Sequence, residues 1–104
     1  MKKTLYAVID TASGVYDGPI PGVSDGHMIR SFSDMAVNPE HPIGQHPEDY
    51  SLIKVGTWND GTGDLVDIQN LTLITGLEAV ANSRNVDRGA IANLSEAVSP
   101  GGTN

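Results

Sequence analysis

The sequence predicts a small α+β domain: an antiparallel sheet made of two hairpins, one helix packed on it, and a C-terminal extension that is partly helical or disordered. Three observations lead there. Residues 4–9 and 50–57 are rich in β-branched and aromatic residues, and each stretch is followed by turn chemistry and a short apolar return. Between them Met28, Phe32, Met35 and Ala36 recur at i, i+4, i+7 and i+8, a single apolar helical stripe. At 104 residues the chain has the size of one domain with a modest core.

The elements follow in order. Residues 4–9 read as a strand with Leu5, Ala7 and Ile9 on one face and Thr4, Tyr6 and Val8 on the other. Residues 10–14 are turn-forming, and Val15 and Tyr16 pair back as a short second strand. Asp17, Gly18, Pro19, Pro21 and Gly22 then break regular structure. Ser24 suits a helix N-cap because its hydroxyl accepts an orphan backbone N–H, and Asp25 complements the helix dipole. Asn38-Pro39 ends that helix. Residues 39–49 hold three prolines, two histidines and three acids, and read as a rigid loop. Residues 50–57 form a strand, 59–63 a glycine-rich hairpin turn and 65–68 the return strand. Leu71, Leu73, Ile74, Leu77 and Val80 fit either a helix or a strand followed by a helix. Ile91, Leu94 and Val98 support a short helix at 90–98, with 99–104 as a frayed tail. The expected organisation is a core domain over 1–75 and an extension over 76–104.

Composition excludes several classes. Val, Ile, Leu and Phe supply about a quarter of the chain, above the roughly 20% that marks disorder. The absence of cysteine removes disulfides, thiolate zinc sites and a cysteine nucleophile. Met1-Lys2-Lys3 resembles the start of a signal peptide, but the apolar stretch 5–9 is too short and ends at Asp10. No run approaches the roughly 18 apolar residues of a membrane span, so no membrane contact is expected. Six Lys and Arg against 13 Asp and Glu give a net charge of −7, a poor basis for clamping nucleic acid. Residues 1–30 are neutral and the deficit lies beyond them, so a polyanion would meet the N-terminal third.

Two candidate sites emerge from the residues. Strict alternation along 50–58 puts Tyr50, Leu52, Lys54, Gly56 and Trp58 on one face, with Ile53 and Val55 on the other. If the helix covers Ile53 and Val55, the outer face becomes a nucleic-acid platform, joined by Lys2, Lys3, Tyr6 and Arg30. The competing reading makes Tyr50, Leu52 and Trp58 ordinary core beneath the helix. The second candidate is a metal or hydrolytic site in the stretch 40–49, where His41 and His46 can meet across a turn. Its spacing matches no ligand pattern, and a proline-rich loop with local hydrogen bonds from His46 and Asp49 is the expectation, with no metal or other cofactor. Ser51, Asp49 and His46 contain the letters of a hydrolase triad, but no nucleophile elbow accompanies them. Gly61-Thr62-Gly63 lacks the rest of a phosphate loop, and Glu48, Asp49, Asp60, Asp64 and Asp67 read as a solvated acidic rim able to attract a basic protein.

One ordered set of motifs goes further. Phe32-Ser33-Asp34, Asn38-Pro39, His46-Pro47-Glu48-Asp49-Tyr50, Leu52, Gly56 and the acidic turn, together with Tyr6, Asp10 and Tyr16, span roughly residues 4–68. In order and spacing this set resembles the small nonstructural protein of gokushovirus-type microviruses, single-stranded DNA bacteriophages. The extension beyond about residue 76 has no counterpart in the resemblance. It implies a noncatalytic phage accessory protein in the host bacterial cytoplasm, acting in viral single-stranded DNA synthesis and packaging. The expected partner is single-stranded DNA or a basic phage or host replication or packaging protein. The alternatives are a self-associating module that pairs exposed strand edges and, less favoured, a metal-dependent enzyme using His41 and His46.

Overall fold

The computed structural model describes residues 1–84, so the expectations for 90–98 and 99–104 lie outside the described residues. The chain runs through β1 (Lys2–Asp10), β2 (Val15–Gly22), α1 (Asp25–Ala36), a short α2 (Pro42–Gln45) and a 3-10 turn (Pro47–Asp49). It continues through β3 (Tyr50–Asn59), β4 (Asp64–Val66) and β5 (Leu71–Thr75). Residues 76–84, here α3, are helical. All strand pairs are antiparallel and the sheet order is β2-β1-β3-β4, with β5 also paired to β3. Because β1 lies along β3 from Lys2↔Asn59 to Asp10↔Tyr50, β4 and β5 share the opposite edge of β3. The two expected hairpins are therefore joined side by side through β1 and β3.

The helix forms where its stripe and cap require. Ser24 Oγ accepts the His27 N–H at 3.1 Å, and Phe32 and Ala36 are buried with Met28 and Met35 beside them. One core results: Tyr6, Leu52 and Ile74 from the sheet meet Phe32 and Ala36 of α1, Ile43 of α2 and Ala79 of α3. The helix thus covers the sheet face that carries Tyr6 and Leu52.

Three local expectations are corrected. Residues 17–22 do not end the second strand, which continues to Gly22. Tyr6 pairs with Ile20 and Val8 with Asp17, so Gly18 and Pro19 together stand opposite Ala7 as a bulge. Gly18 has φ +124°, and a Cβ there would lie 3.1 Å from the Tyr6 carbonyl oxygen, so only glycine fits without strain. The prolines are tolerated because β2 is an edge strand, where a missing N–H donor need leave no ladder bond unmade. Residues 39–49 are not a plain loop. Pro42 and Pro47 stand at the starts of α2 and the 3-10 turn, positions where their fixed φ favours helical entry. The cap of α2 is His41, whose Nδ1 accepts the Ile43 N–H at 3.1 Å, a role expected of neither histidine. The return strand is also shorter than 65–68, ending at Val66 before Asp67 and Asn70 adopt positive φ.

The 71–80 segment resolves into a strand followed by a helix. Thr75 Oγ1 accepts the Glu78 N–H at 3.1 Å while Glu78 Oε1 accepts the Thr75 N–H at 3.0 Å, a reciprocal capping box.

A second bulge decides which residues share a face. Leu5 pairs with Gly56 and Tyr6 with Lys54, leaving Val55 as a surplus residue in β3. Neighbours Leu5 and Tyr6 point to opposite faces, and cross-strand partners point to the same one. Lys54, Leu52 and Tyr50 therefore face the helix, whereas Gly56 and Trp58 lie on the far face with Leu5 and Lys3. Strict alternation along 50–58 fails at this residue. Gly56 also admits the returning chain: a Cβ there would lie 2.9 Å from the Val66 carbonyl oxygen.

Candidate functional site

Among the described residues a groove of about 770 Å³ lies between β2 and the helices α1 and α2. Its floor is Val8 and Tyr50, and its walls are Val15 and Ile20 on one side and Met28, Met35 and Ile43 on the other. Val15 and Ile20 remain 62% and 51% exposed, so the chain leaves these apolar groups open to solvent. Pairing explains the wall: Val15 opposes Asp10, Asp17 opposes Val8 and Ile20 opposes Tyr6, which turns all three toward the helix side. The groove also holds polar groups. Asp10 Oδ1 accepts the Ala12 N–H at 3.0 Å. Asp17 makes no ion pair among the described residues. Because Nδ1 of His41 accepts a hydrogen bond in its neutral form, its proton sits on Nε2, which makes that nitrogen a donor.

At the N-terminal end of α1 a three-residue clamp ties helix to sheet. The Tyr6 hydroxyl donates to Asp25 Oδ1 at 2.6 Å, and Lys54 Nζ donates to Asp25 Oδ2 at 3.0 Å. Burial, followed by the bond to Asp25, pushes the Tyr6 phenol up to about 12. The same tyrosine bond, followed by the lysine bond, holds the Asp25 carboxyl below its ordinary value.

The seven residues read as a nucleic-acid platform do not share one surface. Tyr6 is 1% exposed and its ring is core, so it presents no stacking face. Tyr50 packs against the core and Lys54 is committed to Asp25. The helix covers the face carrying Tyr50, Leu52 and Lys54, which agrees with the core reading for Tyr50 and Leu52 but not for Trp58. Trp58 is 37% exposed on the far face, beside Leu65 on β4 and Lys3 on β1. Asp60 pairs with Lys3 at 3.6 Å and with the N-terminal ammonium at 2.7 Å, bonds that lower its pKa, the terminal ammonium first. Lys2 and Arg30 are exposed and make no ion pair among the described residues.

The motif residues are largely structural. Phe32 anchors α1, the Ser33 carbonyl accepts the Val37 N–H at 3.1 Å, and Asp34 is exposed. The 3-10 turn starting at Pro47 is tied down through Asp49, whose carbonyl accepts the Thr11 N–H at 2.7 Å and the Thr11 hydroxyl at 2.9 Å. His46 Nδ1 lies 3.5 Å from Glu48 Oε1, and one potential ligand atom from each of His46, Glu48 and Asp49 falls within 4.8 Å of the others. His41 is not part of that group and serves instead as the cap of α2. The breakers over 17–22 hide Asp17 and Ile20 as part of the groove wall, whereas Val15 falls in the expected short second strand. The signal was available: two prolines two residues apart fit an edge strand.

A family model described as Phage ORF5 protein matches residues 3–80, three quarters of the chain and every element from β1 to β5. The chain belongs to the phage ORF5 protein family. Membership makes this ORF5-family chain a bacteriophage protein, and the match spans both the helix-covered core and the groove. No curated protein and no solved structure gives a significant match. Among the described residues no helix is long and apolar enough to cross a membrane.

Proposed function

We propose that this ORF5-family protein is a noncatalytic accessory protein of a gokushovirus-like, single-stranded DNA phage. It acts in the host cytoplasm during viral DNA synthesis and packaging, by holding a basic phage or host protein in the β2–α1 groove. The observation that carries this reading is the groove itself: open apolar walls with Asp10 and Asp17 among its lining, on a chain of net charge −7. Such a surface attracts a cationic, partly apolar segment and repels polyanions. The pairing of Lys3 and Lys54 with aspartates supports the same choice, because it withdraws cations from phosphate contact.

A second reading, direct contact with single-stranded DNA, is favoured by the half-open Trp58 beside Lys3 on the far face. Pairwise titration separates the two. The protein, at low salt, is mixed with labelled single-stranded DNA and, separately, with each basic protein its phage encodes. Salt-sensitive binding to a basic protein, weakened when the exposed Ile20 of the groove is changed to Lys, is the expected result. Binding to DNA alone, lost when Trp58 is changed to Ala, overturns it in favour of the second reading. Self-association through the β2 edge is the competing protein-contact reading, and a strict monomer by light scattering removes it.

A further inference from the structure

The groove is bordered on one side by a strand that has room for a neighbour. β2 ends the sheet order and pairs only with β1 among the described residues, so its outer edge carries backbone groups without a sheet partner. Pro19 and Pro21 supply no N–H, which confines strand pairing on that edge to Val15–Asp17. Within those three residues, Val15 and Asp17 face the groove and Tyr16, which opposes Ile9, faces away. A segment paired there would send every second side chain into the groove, between Ile20 and the two methionines of α1. Methionine adapts to differently shaped apolar side chains. A cation on the segment would meet the Asp17 carboxylate, which has no cationic partner of its own among the described residues.

We infer that the groove takes an extended, basic segment of a protein partner, added as a further strand along Val15–Asp17, with alternate apolar side chains lowered between β2 and α1. This rests on reading the groove as the partner site, and it specifies the partner's conformation and charge. Main-chain bonds to the edge provide attachment, and the groove selects alternate side chains.

The test uses the full chain and two synthetic peptides whose groove-facing positions alternate Val and Lys with Thr between them (Val-Thr-Lys-Thr-Val-Thr-Lys), identical except that one carries backbone N-methyl groups on the alternate residues whose N–H faces β2. The unmodified peptide is expected to bind, to slow amide exchange at residues 15–17 and to shift the methyl resonances of Met28 and Met35. N-methylation is expected to weaken binding by at least about tenfold. Asp17→Lys is expected to weaken it about fivefold, more at low salt, and Ile20→Lys comparably. Both sites are exposed, and unchanged urea midpoints verify that the variants fold. Equal binding of the two peptides overturns strand addition while leaving the groove as a docking site. No binding of either peptide, with a basic phage protein still protecting groove residues, also overturns the inference and spares the broader reading. Protection at Trp58 and Lys3 in place of 15–17 overturns both.

Discussion

Strands β2 and β3 both flank β1, yet they live under opposite conditions. β3 is paired on both edges and sends Leu52 and Ile53 into the interior, 2% and 4% exposed. β2 is paired on one edge, and seven of its eight residues are exposed. The first is held by burial, the second by its hairpin turn and one ladder. Cooperative stability therefore concentrates around β3 and α1, and the surface available to other molecules concentrates along β2.

Breaking the buried side should cost most. Phe32→Ala removes the largest side chain of α1 from the core and is expected to lower unfolding free energy by about 3–5 kcal/mol in urea titrations. Tyr6→Phe keeps the ring and deletes the bond to Asp25, for an expected loss of about 1–2 kcal/mol. Its pH signature is more specific than its size. The raised phenol contributes stability that is complete below its ordinary value of 10.0 and fades as pH climbs toward about 12. The lowered Asp25 contributes stability that is present above 3.8 and fades as pH falls below it. Urea midpoints measured against pH should therefore droop at both extremes in the parent, with a shallower droop in Tyr6→Phe. Thr75→Ala opens the capping box and should cost about 1 kcal/mol, read as earlier thermal loss of helical circular dichroism. At the open side, Val15→Ser with Ile20→Ser should leave the unfolding free energy from urea titration within about 0.5 kcal/mol of the parent. A large loss there would erase the contrast between the two strands.

Much of this architecture is legible in residue order, and the exceptions share a cause. The α1 stripe, the Ser24 cap and the 59–63 turn are local patterns, and each appears where its residues lie. Asn59 Oδ1 accepts the Gly61 N–H at 2.9 Å, and the Asn59 carbonyl accepts the Gly63 N–H at 2.7 Å, as a tight glycine turn requires. β5 and α3 were ambiguous by periodicity, although Thr75 and Glu78 spell the capping box directly. The groove and the face of Trp58 depend instead on bulges at Gly18-Pro19 and Val55. A bulge is a relation between two strands, so no single stretch of sequence displays it. Reading β3 with strict alternation placed Tyr50, Lys54 and Trp58 together. Pairing with β1 separates them.

Position 55 also makes the two halves of β3 independent. From Tyr50 to Lys54 the strand serves the helix, and from Gly56 to Asn59 its large side chain serves the other side. Substitutions near the hairpin tip can reshape the surface around the indole ring without disturbing how α1 docks. Removing that one amino acid would regularise the ladder and still leave the ring on its present side, because Lys54 and Gly56 would then alternate as direct neighbours.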